Sequence, residues 1–118
     1  MHKQEIGHLG EQYAIQYLKE KHFKILHHHF TTHWGELDIV AQKRNKICFV
    51  EVKTRIGEAK GKPYEAVGFY KLRSIKRAAN TFLLKYSYKN YRYSVDVISI
   101  ELRSDHSVNQ IDHFESVL

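Results

Sequence analysis

Gly35-Glu36-Leu37-Asp38-Ile39-Val40-Ala41-Gln42-Lys43, Arg44-Asn45, then Lys46-Ile47-Cys48-Phe49-Val50-Glu51-Val52-Lys53-Thr54 is the stretch that decides the fold. Two apolar runs flank a two-residue polar turn, the pattern of an antiparallel hairpin. The continuous apolar run of the second strand reads as a strand buried on both faces. Asp38, Glu51 and Lys53 interrupt these runs, and an unpaired buried charge costs several kcal/mol or more, on the order given for isolated ions. A strand that serves only to pack has no reason to carry them.

Side chains alternate across a strand, so Glu51 and Lys53 share a face, as do Glu36 and Asp38. Antiparallel pairing of strands 36–43 and 46–54 brings Asp38 beside Glu51 and Lys53. Oxygen ligands suit a hard cation, and Mg²⁺ is typically held by one or two carboxylates plus waters and substrate phosphates. Asp38 and Glu51 would anchor such an ion (Mg²⁺ or Mn²⁺), with the main-chain carbonyl of Val52 as a further ligand. Lys53 would orient or deprotonate a water, or stabilise charge growing on a phosphoryl oxygen. The chemistry this suits is metal-assisted phosphodiester hydrolysis. The plain structural alternative is a salt bridge from Lys53 to Glu51 or Asp38.

The chain has 118 residues, 42% of them hydrophobic, the size and content of one folded domain spanning 1–118. No apolar run approaches the roughly 18–20 residues of a membrane span, and no signal-type segment follows the N-terminus. A cytoplasmic protein is expected. The single cysteine, Cys48, excludes an internal disulfide and thiol-rich metal sites and reads as a small core residue. A net charge of +6 suits a polyanionic partner. An acidic centre inside a basic protein is the charge layout of a metal-dependent site for nucleic acid.

Working outward, residues 4–21 read as a helix with Ile6, Leu9, Tyr13, Ala14, Tyr17 and Leu18 on one stripe. Gly7 and Gly10 would let it approach the sheet closely. Glu11 lies at the edge of that stripe, where it is either solvated or reaches into a site at the sheet's end. A strand is predicted over 23–31. Residues 55–66 form a glycine-rich basic loop that starts at Lys53's end of the sheet. A second helix is predicted over 68–86, with Phe69, Leu72, Ile75, Ala79, Phe82, Leu83 and Tyr86 on its apolar side. Its cations, Lys71, Arg73, Lys76, Arg77 and Lys85, are unrelieved by any acid. They suggest phosphate contacts, with Lys71 best placed to face the site. Strands are predicted over 91–101 and 107–114, with the role of Asp96 left open. The order αβββαββ is that of an α/β protein with a central mixed β-sheet flanked by helices.

Nine histidines are present, four of them at His27-His28-His29 and His33. As strand neighbours i and i+2, His27 and His29 would share a face and form a transition-metal pair. No third ligand follows at a recognisable spacing. Edge-strand or DNA-facing imidazoles are the alternative.

Taken together, Asp38, Glu51-Val52-Lys53 and a preceding helix with Glu11 resemble the PD-(D/E)XK nuclease superfamily. More closely, the chain resembles the YraN-like family of predicted endonucleases, which are similar to Holliday-junction resolvases. The matching segments are Gly10-Glu11 with Ala14 and Tyr17-Leu18; Gly35 to Ala41; Phe49 to Arg55; Glu65-Ala66-Val67 with Lys71; and Asp96-Val97-Ile98. This resemblance implies a restriction-endonuclease-like fold, a divalent metal, DNA as substrate and, by analogy with junction cutting, a homodimer. It makes Asp38 and Glu51 the metal-binding acids, Lys53 the catalytic lysine and Glu11 the helix acid. The segment before Gly35 departs from the family's arginine and asparagine pattern, reading His28, His29, Phe30 and Thr31. The basic surface expected to hold the backbone is Arg55, Lys60, Lys62, Lys71 and Arg73. A non-catalytic nucleic-acid-binding accessory protein with a nuclease-like fold is the alternative function.

Overall fold

The computed structural model describes residues 2–57 and 67–118. The elements run α1 (Lys3–Glu20), β1 (Lys24–Thr32), β2 (Gly35–Lys43), β3 (Lys46–Ile56), α2 (Phe69–Lys85), β4 (Arg92–Leu102) and β5 (Val108–Phe114). The five strands form one sheet in the order β1-β2-β3-β4-β5. Three pairings are antiparallel, and β3–β4 is parallel. A parallel pair needs a long crossover, and α2 lies within the one between β3 and β4. The chain is thus a mixed α/β protein in the predicted order, with a helix on each sheet face.

Alternation along β3 assigns the faces. Ile47 and Phe49 pack on the α2 side with Val95 and Val97 of β4, and with Ile75, Ala78, Ala79, Phe82 and Leu83 of the helix. Cys48 and Val50 pack on the α1 side with Ile98, Ile100 and Leu102, against Ala14 and Leu18. Both central strands are covered twice, which is why they read as unbroken apolar runs. β3 and β4 pair residue by residue from Lys46↔Arg92 to Ile56↔Leu102. The continued apolar run of β4 carries β3 past Thr54, so Arg55 lies in the strand and not in the loop that follows.

Two sequence expectations for the helices need correction. Phe69, assigned to the core stripe of α2, is 67% exposed, because it opens the helix beyond the edge of the packed layer. Tyr86, just past the helix end, is 40% exposed but still packs against Phe30 and Phe82. Of the two α1 glycines, only Gly10 lies against the sheet. A Cβ built there would stand 1.8 Å from Thr54 Oγ1 and 2.8 Å from Thr54 Cβ, whereas one at Gly7 would meet nothing within 4 Å.

Gly10→Ala is therefore expected to push α1 off β3 and to destabilise the fold by about 2 kcal/mol, the range for overpacking. Gly7→Ala is expected to be neutral or stabilising by up to about 1 kcal/mol through helix propensity. Urea unfolding midpoints check the pair, and equal midpoints would remove the close-approach role of Gly10.

Candidate metal and acid site

The site grows from a flaw in the sheet. β1 and β2 pair His28↔Ile39 and then Phe30↔Leu37, so His29 and Asp38 face each other yet drop out of the ladder. The β2–β3 ladder runs from Lys43↔Lys46 only as far as Ile39↔Val50. Beyond it, the N–H of Val52 donates to Asp38 Oδ2 at 3.0 Å. A side-chain carboxylate has replaced a strand partner. The N–H and C=O of one strand residue point to the same edge, so the Val52 carbonyl is turned to the Asp38 side as well.

The ladder ends at Ile39↔Val50, and just beyond it Asp38 is close enough to raise the Glu51 carboxyl. Alternation from Ile47 and Phe49 puts Glu51 on the α2 side. Glu51 is only 7% exposed. Lys71, in the first turns of α2, places Nζ 3.8 Å from Glu51 Oε1. Lys53 shares the face by alternation and acts on Glu51 through its charge. Of the two salt-bridge readings, the ion pair observed for Glu51 is with Lys71 rather than Lys53.

Burial pushes the Glu51 carboxyl up to about 7, and the neighbouring Asp38 charge and a hydrogen bond between the two carboxyls add to it. Burial also raises Asp38; the Val52 N–H opposes this, and the Glu11 charge adds to it. Two carboxyls this close do not both ionise readily without a cation. A raised carboxyl favours the fold most below its unfolded value of 4.5, and that contribution is lost as pH rises to about 7. Metal-free protein is thus expected to lose stability as pH rises from 4.5 to about 7, and Glu51→Gln to flatten that slope. Divalent ions are expected to restore stability at the upper end and to release protons as they bind. Denaturant midpoints measured with and without Mg²⁺ check this, and a flat pH profile in the metal-free parent would contradict it.

Glu11 arrives from the other helix. The close seating of Gly10 on Thr54 sets the next residue at the end of the sheet, where its charge is felt by Asp38. Its Oε2 lies 3.0 Å from His28 Nε2 and 2.7 Å from His29 Nε2. Sequence reasoning missed these imidazoles, because it paired His29 with His27. A bulge between Ile25 and His27 and a left-handed φ of 56° at His29 break the alternation. His27 instead packs among Phe30, Phe82 and Tyr86 on the α2 side. His33 and Trp34 of the β1–β2 turn are exposed, with the Arg77 guanidinium 4.6 Å over the Trp34 ring.

Of the expected phosphate-binding residues, Lys71 joins the acid group directly, and Arg55 follows Lys53 on the same strand face. The Arg73 guanidinium lies 5.6 Å over the exposed Phe69 ring, away from the acids. Lys60 and Lys62, with Glu58 and Glu65, lie outside the described residues. A cavity of about 300 Å³ sits at the opposite, turn end of the β2–β3 hairpin, lined by Lys43, Arg44, Lys46 and Arg92 among others. Glu115 lines it, whereas Glu11, Asp38 and Glu51 do not. Among the described residues, no helix is long and apolar enough to cross a membrane.

Comparison with known proteins places the chain in a family. The model of "Uncharacterised protein family UPF0102" matches residues 10–100, from the glycine before Glu11 nearly to the end of β4. The chain belongs to the UPF0102 family. It is 39% identical over 112 residues to a UPF0102 protein of Caldicellulosiruptor saccharolyticus, covering 95% of each chain. It is 36% identical over 114 residues to one of Caldanaerobacter subterraneus subsp. tengcongensis, covering 96% of this chain and 93% of the other. A third, from Syntrophomonas wolfei subsp. wolfei, is 45% identical over 96 residues, 81% and 84% of the two chains. The likeness to these UPF0102 proteins extends over nearly the whole fold, so Glu11, Asp38, Glu51 and Lys53 all fall inside the matched region.

Proposed function

We propose that this UPF0102 protein is a Mg²⁺- or Mn²⁺-dependent endonuclease that hydrolyses phosphodiester bonds in DNA, on a restriction-endonuclease-like fold. One observation carries the reading. Asp38 and Glu51 stand close together where the sheet opens, near enough for the Asp38 charge to raise the Glu51 carboxyl, with Lys53 and Lys71 acting on the same group. A purely structural acid pair would be satisfied by lysine contacts of hydrogen-bond length, and the 3.8 Å pair to Lys71 falls short of one. The oxygen-rich donor set fits a hard cation.

In this reading Asp38 and Glu51 hold the ion, with the Val52 carbonyl turned to the same edge. When bound, the ion supplies Lewis-acid polarisation of the phosphoryl group. The Val52 N–H fixes the Asp38 carboxylate so that one oxygen stays oriented. Lys53 orients the attacking water and stabilises charge growing on the phosphoryl oxygens. Water adds to phosphorus, the bond from phosphorus to the leaving oxygen breaks, and that oxygen takes up a proton. Glu11 adds negative charge that acts on Asp38 from the α1 side. Branched DNA as substrate and a two-fold dimer as the working form rest on the resemblance to junction resolvases.

Arg55 and Lys71 border the acids and are proposed to hold the DNA backbone. Each phosphate contact removed is expected to lower the salt slope by about 0.9 on duplex DNA. The Arg55→Ala, Lys71→Ala double variant should weaken binding about equally for all sequences, since such contacts position the backbone and do not read bases. Unchanged affinity and slope would move the DNA path elsewhere. For the metal itself, titration calorimetry with Mn²⁺ tests the site. Binding to the parent that is lost in Asp38→Asn supports it, and equal binding in both rejects it.

A further inference from the structure

His8 and Glu11 lie three residues apart on α1, so they share one helix face. His29 reaches the same spot from β1. One ligand atom from each of the three lies within 4.8 Å of the others. The His8 and His29 rings are 5.7 Å apart, and the His28 ring is 4.2 Å from that of His29.

The partners of His29 set its chemistry. Its Nδ1 stands 2.5 Å from Glu36 Oε1. That contact places a proton on Nδ1, so in the neutral ring Nε2 carries the lone pair. Nε2 is buried and makes no hydrogen bond, although Glu11 Oε2 is 2.7 Å away. In the neutral ring a lone pair and a carboxylate oxygen at that distance repel each other, and either a proton on Nε2 or a metal ion held between them removes the repulsion. A carboxylate behind the ligating histidine is also the usual support of a metal-bound imidazole. The left-handed φ of 56° at His29 turns its ring toward α1, and strained backbone of this kind gathers at functional sites.

We propose that His8, Glu11 and His29 bind a borderline divalent transition ion of the Zn²⁺ class, at a site separate from the Asp38–Glu51 pair. Two imidazoles and one carboxylate favour Zn²⁺, Co²⁺ or Ni²⁺ over Mg²⁺, which takes oxygen ligands. Zinc bonds are about 2.0–2.2 Å long, so the ligands must draw in slightly, and the exposed His8 is free to rotate. His28, already 3.0 Å from Glu11, stands next in line as a fourth ligand. The other acid–histidine group, Asp96, His113 and Glu115, differs in kind. There Asp96 is satisfied by Ser94, Ser116 and His113.

The test is calorimetric titration of the full, metal-free chain with Zn²⁺ alone, with Co²⁺ as a spectroscopic probe. One strong Zn²⁺ per chain is expected. His8→Ala and His29→Ala should each weaken it by more than about tenfold, and Glu36→Gln by about tenfold, as supporting-shell changes do. His8 is exposed on its helix, so that variant retains the fold. Zn²⁺ should raise the melting temperature of the parent and not that of His8→Ala. Co²⁺ should give visible absorption that His8→Ala abolishes. Asp38→Asn should lower Zn²⁺ affinity only slightly, through loss of a neighbouring negative charge, while losing Mn²⁺ altogether, so this inference and the nuclease reading fail separately. Unchanged Zn²⁺ affinity in His8→Ala and His29→Ala would overturn the site and leave His29 as a histidinium paired with two glutamates. So would an equal loss in Asp38→Asn.

Discussion

Alanine at Asp38 or Glu51 is expected to lower DNA cleavage by at least about a thousandfold and to abolish Mg²⁺ or Mn²⁺ binding together with it. Lys53→Ala is expected to lower cleavage by about a hundredfold to a thousandfold, the range for removing one group that stabilises transition-state charge. It should leave metal affinity nearly unchanged, because its ammonium is not a ligand. Cleavage and metal titration must therefore be measured on the same preparations. The separation is what identifies roles: acids lose both properties, and the lysine loses one. Lys71 complicates the reading in an informative way. Its ammonium lies 3.8 Å from Glu51, so Lys71→Ala removes a counter-charge from the pair. That variant is expected to raise the pH at which metal binds, whereas Lys53→Ala acts mainly on rate. Three variants that cut as well as the parent would remove the catalytic assignment.

The second large effect concerns folding. Asp96 is fully buried in β4. Its Oδ1 accepts from Ser94 Oγ at 2.8 Å and from the Ser116 N–H at 3.0 Å, and its Oδ2 lies 2.8 Å from His113 Nε2. The Tyr17 hydroxyl lies 3.2 Å from the other nitrogen of His113. One carboxylate thus ties β4 to β5, to the C-terminal segment and, through His113, to α1. Burial works to raise its pKa, but the bonds from His113, Ser116 and Ser94 win and hold it below the ordinary carboxylate value. Its contribution is present above the unfolded value of 3.8 and is lost as pH falls through the folded one. Asp96→Ala is expected to destabilise by about 3 kcal/mol, since it strands buried donors and breaks a buried pair. Urea unfolding checks this, and a loss below about 1 kcal/mol would show that water or rearrangement satisfies the donors.

Regular strands made much of this fold legible. The β2–β3 hairpin follows from apolar runs on either side of Arg44-Asn45, and its bounds in β2 are those the sequence predicts. The neighbourhood of Asp38 and Glu51 follows from the same register. What the sequence concealed lies where alternation fails. A bulge near Leu26 and the left-handed His29 put His27 and His29 on different faces, and no residue pattern announces either. The histidine cluster around Glu11 was invisible for that reason, since it joins residues 8, 11 and 29 across two elements. Asp96 could not be assigned because its partners, His113 and Ser116, come from the end of the chain. Phe69 looked like core because periodicity cannot show where a helix overhangs its sheet.

The most direct test of the account is cleavage of end-labelled DNA (duplex, flap, single-stranded and four-way junction) by the full chain in Mn²⁺, beside Asp38→Asn prepared identically. The account predicts metal-dependent cuts by the parent on at least one of these structures, removed by chelation and absent in Asp38→Asn. No cleavage of any of them by a folded parent that binds Mn²⁺, or cleavage that survives in Asp38→Asn, would contradict it.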